Sequence, residues 1–198
     1  MPRKYELRRR AERQAETRRR IVEATVALHE ALGVARTTIS DIAARAGVER
    51  ATVYRHFPDE RTLFGACTGH YLARHPPPDP APWQEIADPE AQLRTGLVEV
   101  YAYHRRTEPM ADRAERDLPD VPVLREVLAP NLAHWARVRD ALTAGWSVPE
   151  ERRALVAAAV GHAVAFSTWR SLVREQGLDD AQAVEAMAAL VRGLAGHG

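Results

Sequence analysis

The sequence predicts an all-α protein, on three observations. Apolar residues make up 45% of 198 positions, and Ala and Leu far outnumber Ile, Thr, Phe and Tyr, a balance that favours helices over strands. Apolar residues recur at three- and four-residue spacing through most of the chain, and glycine or proline punctuates the runs. No segment reads convincingly as a strand.

Residues 1–17 hold Arg8, Arg9 and Arg10 without apolar periodicity and read as a frayed basic arm. Regular structure is expected from about Thr17, where Ile21, Ala24, Thr25, Leu28 and Leu32 recur at helical spacing until Gly33 supplies a left-handed stop. Thr38, with Asp41 three positions on, predicts a capped helix over 39–46 that Gly47 breaks. A third helix comes next over 50–57, and Pro58 with Asp59 starts a fourth running to about Arg74. These short helices make a tri-helical head, and the fourth reads as a joint to the larger C-terminal part of the chain.

The proline-rich stretch His75–Trp83 reads as an extended loop. Asp88-Pro89 then opens a helix to about Arg106, Pro109 a short one to Leu118, and Pro122 a long one to about Gly145. Ser147 and Glu150 suggest a capping box for a helix reaching Gln176, where Gly177 stops it, and Asp179 caps a last helix to about Leu194. The count is about nine. The expected organisation is a basic arm over 1–17, a head over 18–64 and a larger helical body over 65–198.

Charge is distributed unevenly. The formal net charge is +1, but residues 1–61 carry 14 Lys+Arg against 9 Asp+Glu, which leaves 14 against 18 in the remainder. A balance of +5 in a small head and −4 in the body suits a polyanion-binding module on a separate regulatory body. The single cysteine, Cys67, excludes an internal disulfide and a thiol-rich zinc site. No apolar run reaches the ~18 residues of a membrane span and none follows the charged N-terminus, so a cytoplasmic protein without membrane association is expected.

Residues 37–57, TTISDIAARAGVERATVYRHF, carry the chemistry. Ile39, Ile42, Ala43, Ala46, Val48, Val53 and Phe57 form one inner face, and small Ala43 lets two helices cross closely. The outer side presents Arg50, Thr52, Tyr54, Arg55 and His56. A helix bearing donors and cations, held crosswise on a partner, is how a helix-turn-helix reaches base edges in a major groove. The bland alternative is a helical hairpin in an ordinary core.

This segment resembles the TetR (tetracycline-repressor) family signature, with Thr37, Thr38, Ile42, Ala43, Ala46, Gly47, Val48, Thr52, Tyr54, Phe57 and Leu63 in register and no gap. The resemblance implies that Arg50, Ala51, Thr52, Tyr54, Arg55 and His56 lie on the DNA-facing helix, with Thr38 and Tyr54 touching phosphates. Two positions depart from the pattern: Ala51 replaces a common glycine, and Glu60 stands where a phosphate-contacting lysine is usual, which leaves Arg61 as its substitute. The resemblance further implies a homodimer on a palindromic double-stranded operator, joined through its last two helices, and repression as the usual mode. Small residues at Ala157, Gly161 and Ala165, with Val184, Met187, Val191 and Leu194, are the candidate interface. Internal use of the same stripe within a monomer is the alternative.

A small-molecule effector would need an apolar cavity with a few convergent polar groups. Tyr101, His104, Met110, His134, Trp135, His162, Phe166 and Trp169 are the candidates, although each singly suits an ordinary core. An enzyme has little support, since the sequence holds no glycine-rich phosphate loop, GxSxG or HExxH, and His70 with His75 makes a poor metal pair. No cofactor is implied. The remaining alternative is a DNA-binding regulator without an effector.

Overall fold

A computed structural model describes residues 2–196, with side chains from Tyr5 onward, and is all-helical over them. Met1, His197 and Gly198, at the ends of the expected arm and body, lie outside the described residues. In chain order the helices are α1 (Pro2–Leu32), α2 (Ile39–Ala46), α3 (Arg50–His56), α4 (Glu60–Arg74), α5 (Pro89–Asp117), α6 (Pro122–Ala144), α7 (Glu150–Ala163), α8 (Phe166–Arg170) and α9 (Asp180–Ala195). None is long and apolar enough to cross a membrane among the described residues.

The chain forms two compact units: Met1–His75 with Pro109–Leu128, and Pro76–Glu108 with Ala129–Gly198. The first therefore extends past residue 64, taking in all of α4, the C-terminal part of α5 and the start of α6. Its core is built by Ile21, Val22 and Ala24 of α1, Ile42, Ala43 and Ala46 of α2, Val53 of α3, and Leu63 and Phe64 of α4, with Leu124 of α6 packed among them. Two polar groups fix the α1–α2 turn to the end of α5. Asp117 Oδ2 accepts the Ala35 amide at 3.0 Å, and Arg116 Nη2 donates to the Leu32 carbonyl at 2.8 Å.

The second unit buries Leu93, Leu97, Val100 and Tyr101 of α5 against Val138 and Leu142 of α6, and adds Val156 and Val160 of α7. The last helix is tied to α5 by Arg94–Glu185, Arg105–Asp180 and Arg192–Glu90 at 2.8, 2.7 and 2.9 Å. Such partly exposed pairs each contribute about 0–1 kcal/mol, so they set position more than stability.

Four expectations need correction. Residues 2–17 are the start of α1, not a frayed arm, because their Arg, Glu, Ala and Gln are good helix formers that extend an already nucleated helix. The expected loop over 75–83 ends in a 3₁₀ turn, Pro82–Glu85, which buries Trp83. Pro109 opens no new helix but lies inside α5, which continues despite the lost hydrogen bond because buried residues anchor it on both sides, Tyr103, His104 and Thr107 before the proline and Asp117 after it. Ser147 makes no cap, Pro149 precedes α7 instead, and the expected helix to Gln176 is interrupted at Val164–Ala165.

That interruption has a cause in α5. The Tyr101 hydroxyl donates to the Ala163 carbonyl at 3.0 Å, and His104 Nε2 bonds the Val164 carbonyl at 2.9 Å. Side-chain donors thus satisfy carbonyls that a continuous helix would have paired with its own amides. Ala165 turns extended (ψ 140°), α8 follows, and residues 171–175 widen into a π-turn before Gly177 at φ +76°.

Candidate functional site

The helix-turn-helix begins with a reciprocal cap. Thr38 accepts the Asp41 amide at 3.2 Å, and Asp41 Oδ2 accepts the Thr38 amide at 3.1 Å and its hydroxyl at 2.7 Å. At the other end of α2, Gly47 adopts φ +63°, the Val48 amide reaches the Ala43 carbonyl and the Gly47 amide that of Ala44. This left-handed stop turns the chain sharply enough to lay α3 across α2.

Two arginines of α1 lock the arrangement. Arg20 donates to the carbonyls of Ala46 and Gly47 at the end of α2. Arg18 donates to the His56 carbonyl at 2.9 Å and lies 4.1 Å from the centroid of the Phe57 ring. Each places a cation at the negative end of a helix while closing an open carbonyl. Neither was singled out from the sequence; the signal was the triplet Arg18–Arg20 immediately before the first buried residue, Ile21.

With Val53 fully buried, α3 turns Arg50, Ala51, Tyr54 and Arg55 to solvent, while Thr52 and His56 are half-buried. Arg55 Nη2 donates to Thr52 Oγ1 at 3.2 Å, so two of the predicted contacts are arranged as a pair. Burial and the nearby Arg55 and Arg18 hold His56 below the ordinary imidazole value, leaving it a neutral hydrogen-bonding group. A cleft of about 480 Å³ opens beside Tyr54, backed by Phe57 and Leu63 and edged by Asp59, Glu60 and Arg61. Arg61 faces Glu126 at 3.3 Å, and Thr38 is exposed at its cap.

In the second unit, five of the eight candidate effector residues meet. His104 sits among Tyr101, Tyr103, Trp135, Phe166 and Trp169, with ring centroids 5.4–6.3 Å away. Burial lowers its pKa to about 4, outweighing the Val164 hydrogen bond, so the imidazole is neutral at pH 7. Tyr101 is likewise raised by burial. Trp169 Nε1 donates to Asp180 at 2.9 Å. His134 packs on Trp135 and bonds the Pro78 carbonyl at 3.1 Å, while exposed His162 pairs with Thr168 at 3.1 Å. Met110 belongs to the first unit and is not among them.

The small-residue stripe is divided. Ala157 and Gly161 lie on α7, but Ala165 is beyond its end. A Cβ on Gly161 would approach Arg139 Cδ at 3.3 Å, so this glycine admits α6 of its own chain. Val184 and Val191 are 3% and 0% exposed and belong to the unit's own core, whereas Met187 and Leu194 are half-buried. The large apolar residues left outward on these helices are Leu155 and Leu190, at 50% and 43% exposure.

Comparison with known proteins matches the head by sequence and nearly the whole chain by fold. Residues 21–67 match the model of bacterial regulatory proteins, tetR family. Over 101 residues the chain is 36% identical to the HTH-type transcriptional regulator TtgR of Pseudomonas putida, covering 48% of this chain and 46% of that one. The matched part is therefore just under half of that relative's length. An HTH-type transcriptional regulator of Mycobacterium tuberculosis is 41% identical over 59 residues, 30% of this chain and 31% of its own. The fold is similar to that of a TetR transcription regulator from Haloarcula marismortui, with a TM-score of 0.58, 18% identity, and 92% and 97% of the two chains covered. A transcriptional regulator from Rhodococcus gives 0.58 and 18%, with 89% and 96% covered. The matched residues run from Ile21 in α1 through the first half of α4, including the reciprocal cap, the Gly47 turn and all of α3, so the head is similar to that of the tetR family of bacterial regulatory proteins.

Proposed function

We propose that the chain is a homodimeric, ligand-responsive transcription regulator of the cytoplasm that holds a palindromic operator through two heads and releases it when a small molecule occupies the helical body. The observation that carries this reading is α3, whose Arg50, Ala51, Tyr54 and Arg55 point outward from a head held by Arg18 and Arg20. Arg50 and Arg55 are the candidate base or phosphate readers, since a guanidinium grips guanine with two hydrogen bonds. One seven-residue helix makes few contacts, and a second head supplies the remainder. Leu155 on α7 and Leu190 on α9 are the outward apolar residues suited to joining two copies.

Selection from a random duplex pool, followed by footprinting and light scattering, tests the reading. The expected result is an inverted repeat, its half-sites about one helical turn or slightly more apart, protected by a dimer. One asymmetric half-site held by a monomer would overturn it. Repression is the mode this reading favours.

The effector is supported by the aromatic cluster around His104, where apolar faces converge on few polar atoms. Tyr101 and His104 lie on α5. Transmission to the heads through α4 is the route this reading assigns. To move the population from 1:99 to 99:1 the effector must prefer the released form by about 5.5 kcal/mol, and operator must weaken effector binding by the same factor. A thermal-shift screen of metabolites identifies it, because a ligand of the native body raises Tm. Equal effector affinity with and without operator would favour a regulator that works without one.

A further inference from the structure

From the charge pattern of α1 we infer that its N-terminal extension is a second DNA-binding element, a rigid basic helix that lies along duplex flanking the site read by α3. The inference rests on the proposed DNA binding of the head and assigns a further contact surface for it. Residues 5–20 hold seven Arg against three Glu on one uninterrupted stretch of helix, so these charges stand on a common scaffold. The first buried residue of α1 is Ile21, and every side chain over 5–16 is exposed.

The charges are partly sorted around the helix. Glu12, Glu16 and Glu23 share one stripe, where Arg8 pairs with Glu12 at 2.9 Å and Arg19 with Glu16 and Glu23 at 2.8 and 3.5 Å, while Glu6 falls between Arg13 and Arg10. Arg9, Arg10 and Arg13 form no ion pair among the described residues. At about 100° per residue, Arg9 and Arg13 fall within about 20° of Arg20, and Arg10 within about 80°. Arg20 is the residue bonded to Gly47 at the helix-turn-helix turn. Arg9 and Arg13 thus lie on the side of α1 that meets the turn, about 10–16 Å beyond it at 1.5 Å per residue, with Glu6 and Arg10 flanking them.

Duplex DNA is the occupant this pattern fits. It offers one phosphate charge per about 1.7 Å of axis, enough to meet cations spread along several turns of helix. An anionic membrane surface would favour an apolar stripe opposite the cations, and the exposed apolar residues Tyr5 and Leu7 instead lie about 200° apart.

The test measures binding of the full chain to a 40-base-pair duplex of mixed sequence by fluorescence anisotropy between 50 and 200 mM salt. Three variants are compared: Arg9→Gln, Arg10→Gln and Arg13→Gln together; the corresponding triple lysine variant; and Arg50→Gln with Arg55→Gln. Glutamine and lysine keep the helix propensity of arginine, so helicity by circular dichroism should not change. The salt slope of the triple Gln variant should fall by about 0.9 for each lost phosphate contact, up to about 2.7 per subunit, and the lysine variant should keep the wild-type slope. Wild-type slope and affinity in the triple Gln variant, with binding lost in the α3 variant, would overturn the inference and leave the DNA-binding reading standing. A wild-type chain that does not bind the duplex would overturn both. If the triple Gln variant keeps its DNA slope but loses binding to vesicles of phosphatidylcholine and phosphatidylserine, the surface belongs to membranes and the inference fails.

Discussion

The Asp117 carboxylate accepts the backbone amide of Ala35 at 3.0 Å, joining positions 82 apart. Its second oxygen accepts Arg116 Nε at 2.8 Å, and the residue is 3% exposed. Asp117→Ala leaves the Ala35 amide without its acceptor and should destabilise the protein by about 1–3 kcal/mol in urea melts. Gly33→Ala should act in the same direction, because Gly33 has φ +91° and a Cβ would meet the side chains of Arg116 and Asp117. Burial raises the Asp117 pKa, but the bonds from Arg116, Ala35 and Val34 outweigh it and hold it below the ordinary value. Its stabilisation is therefore present above about pH 4 and lost as pH falls through the depressed folded value. Unchanged urea midpoints in both variants would contradict the anchor.

Two buried imidazoles act over a different pH range. His104 and His29 are both lowered by burial to about 4 from 6.5; the Val164 carbonyl opposes the shift at His104, and the charge of Asp117 opposes it at His29. Between those values the unfolded chain binds protons that the folded chain refuses, so stability falls as pH drops from about 6.5 towards 4. At pH 5 the loss is about 2 kcal/mol per histidine. His104→Phe should remove its share of the slope of Tm between pH 7.5 and 5, although the variant is less stable at pH 7.5 because the Val164 carbonyl loses its donor. An unaltered slope would mean that His104 titrates normally.

Local signals in the sequence placed the cap of α2 and the turn after it. Thr38, Asp41 and Gly47 act within four residues of themselves, and the structure puts each in the predicted cap or turn. The expectations that failed depended on distant partners. Pro109 looked like a helix start because nothing nearby reveals that Asp117 is anchored beyond it. The run from Glu150 to Gln176 looked continuous because the donors that open it, Tyr101 and His104, lie about sixty residues earlier. Small residues at Ala157 and Gly161 said that something approaches closely; the approach of Arg139 to Gly161 comes from the same chain.

The apolar residues turned outward on α7 and α9 allow a direct test of assembly. Leu155→Glu and Leu190→Glu replace side chains that are 50% and 43% exposed, so neither substitution should unfold the isolated chain. Both should shift a dimer towards monomer by light scattering, and affinity for a selected palindrome should fall with it. Ala157→Glu, at a half-buried position on α7, provides the comparison. A pair of fully dimeric Leu variants would place the interface on another face.

Glu60 is the residue at odds with DNA binding, a carboxylate exposed at the first position of α4 on the edge of the cleft beside Tyr54. Its place in the first turn suits the helix dipole, worth about 0.3–1 kcal/mol, while Asp59 already caps the Thr62 amide at 2.7 Å. Stability thus accounts for a negative charge there, and phosphate approach is opposed by it. Glu60→Lys should lower the stability of the free protein slightly and tighten binding to a selected palindrome at low salt. If the new lysine of each subunit reaches one phosphate, the slope of log K against log salt should steepen by about 1.8 for a dimer, at roughly 0.9 per phosphate. Neighbouring Arg61 faces Glu126 at 3.3 Å, so Glu126→Gln should also tighten binding if Arg61 serves as the phosphate contact that Glu60 cannot make. Unchanged affinity and slope in both variants would mean that the start of α4 stays away from the DNA backbone, and would count against phosphate contacts by Thr38 and Tyr54 as well.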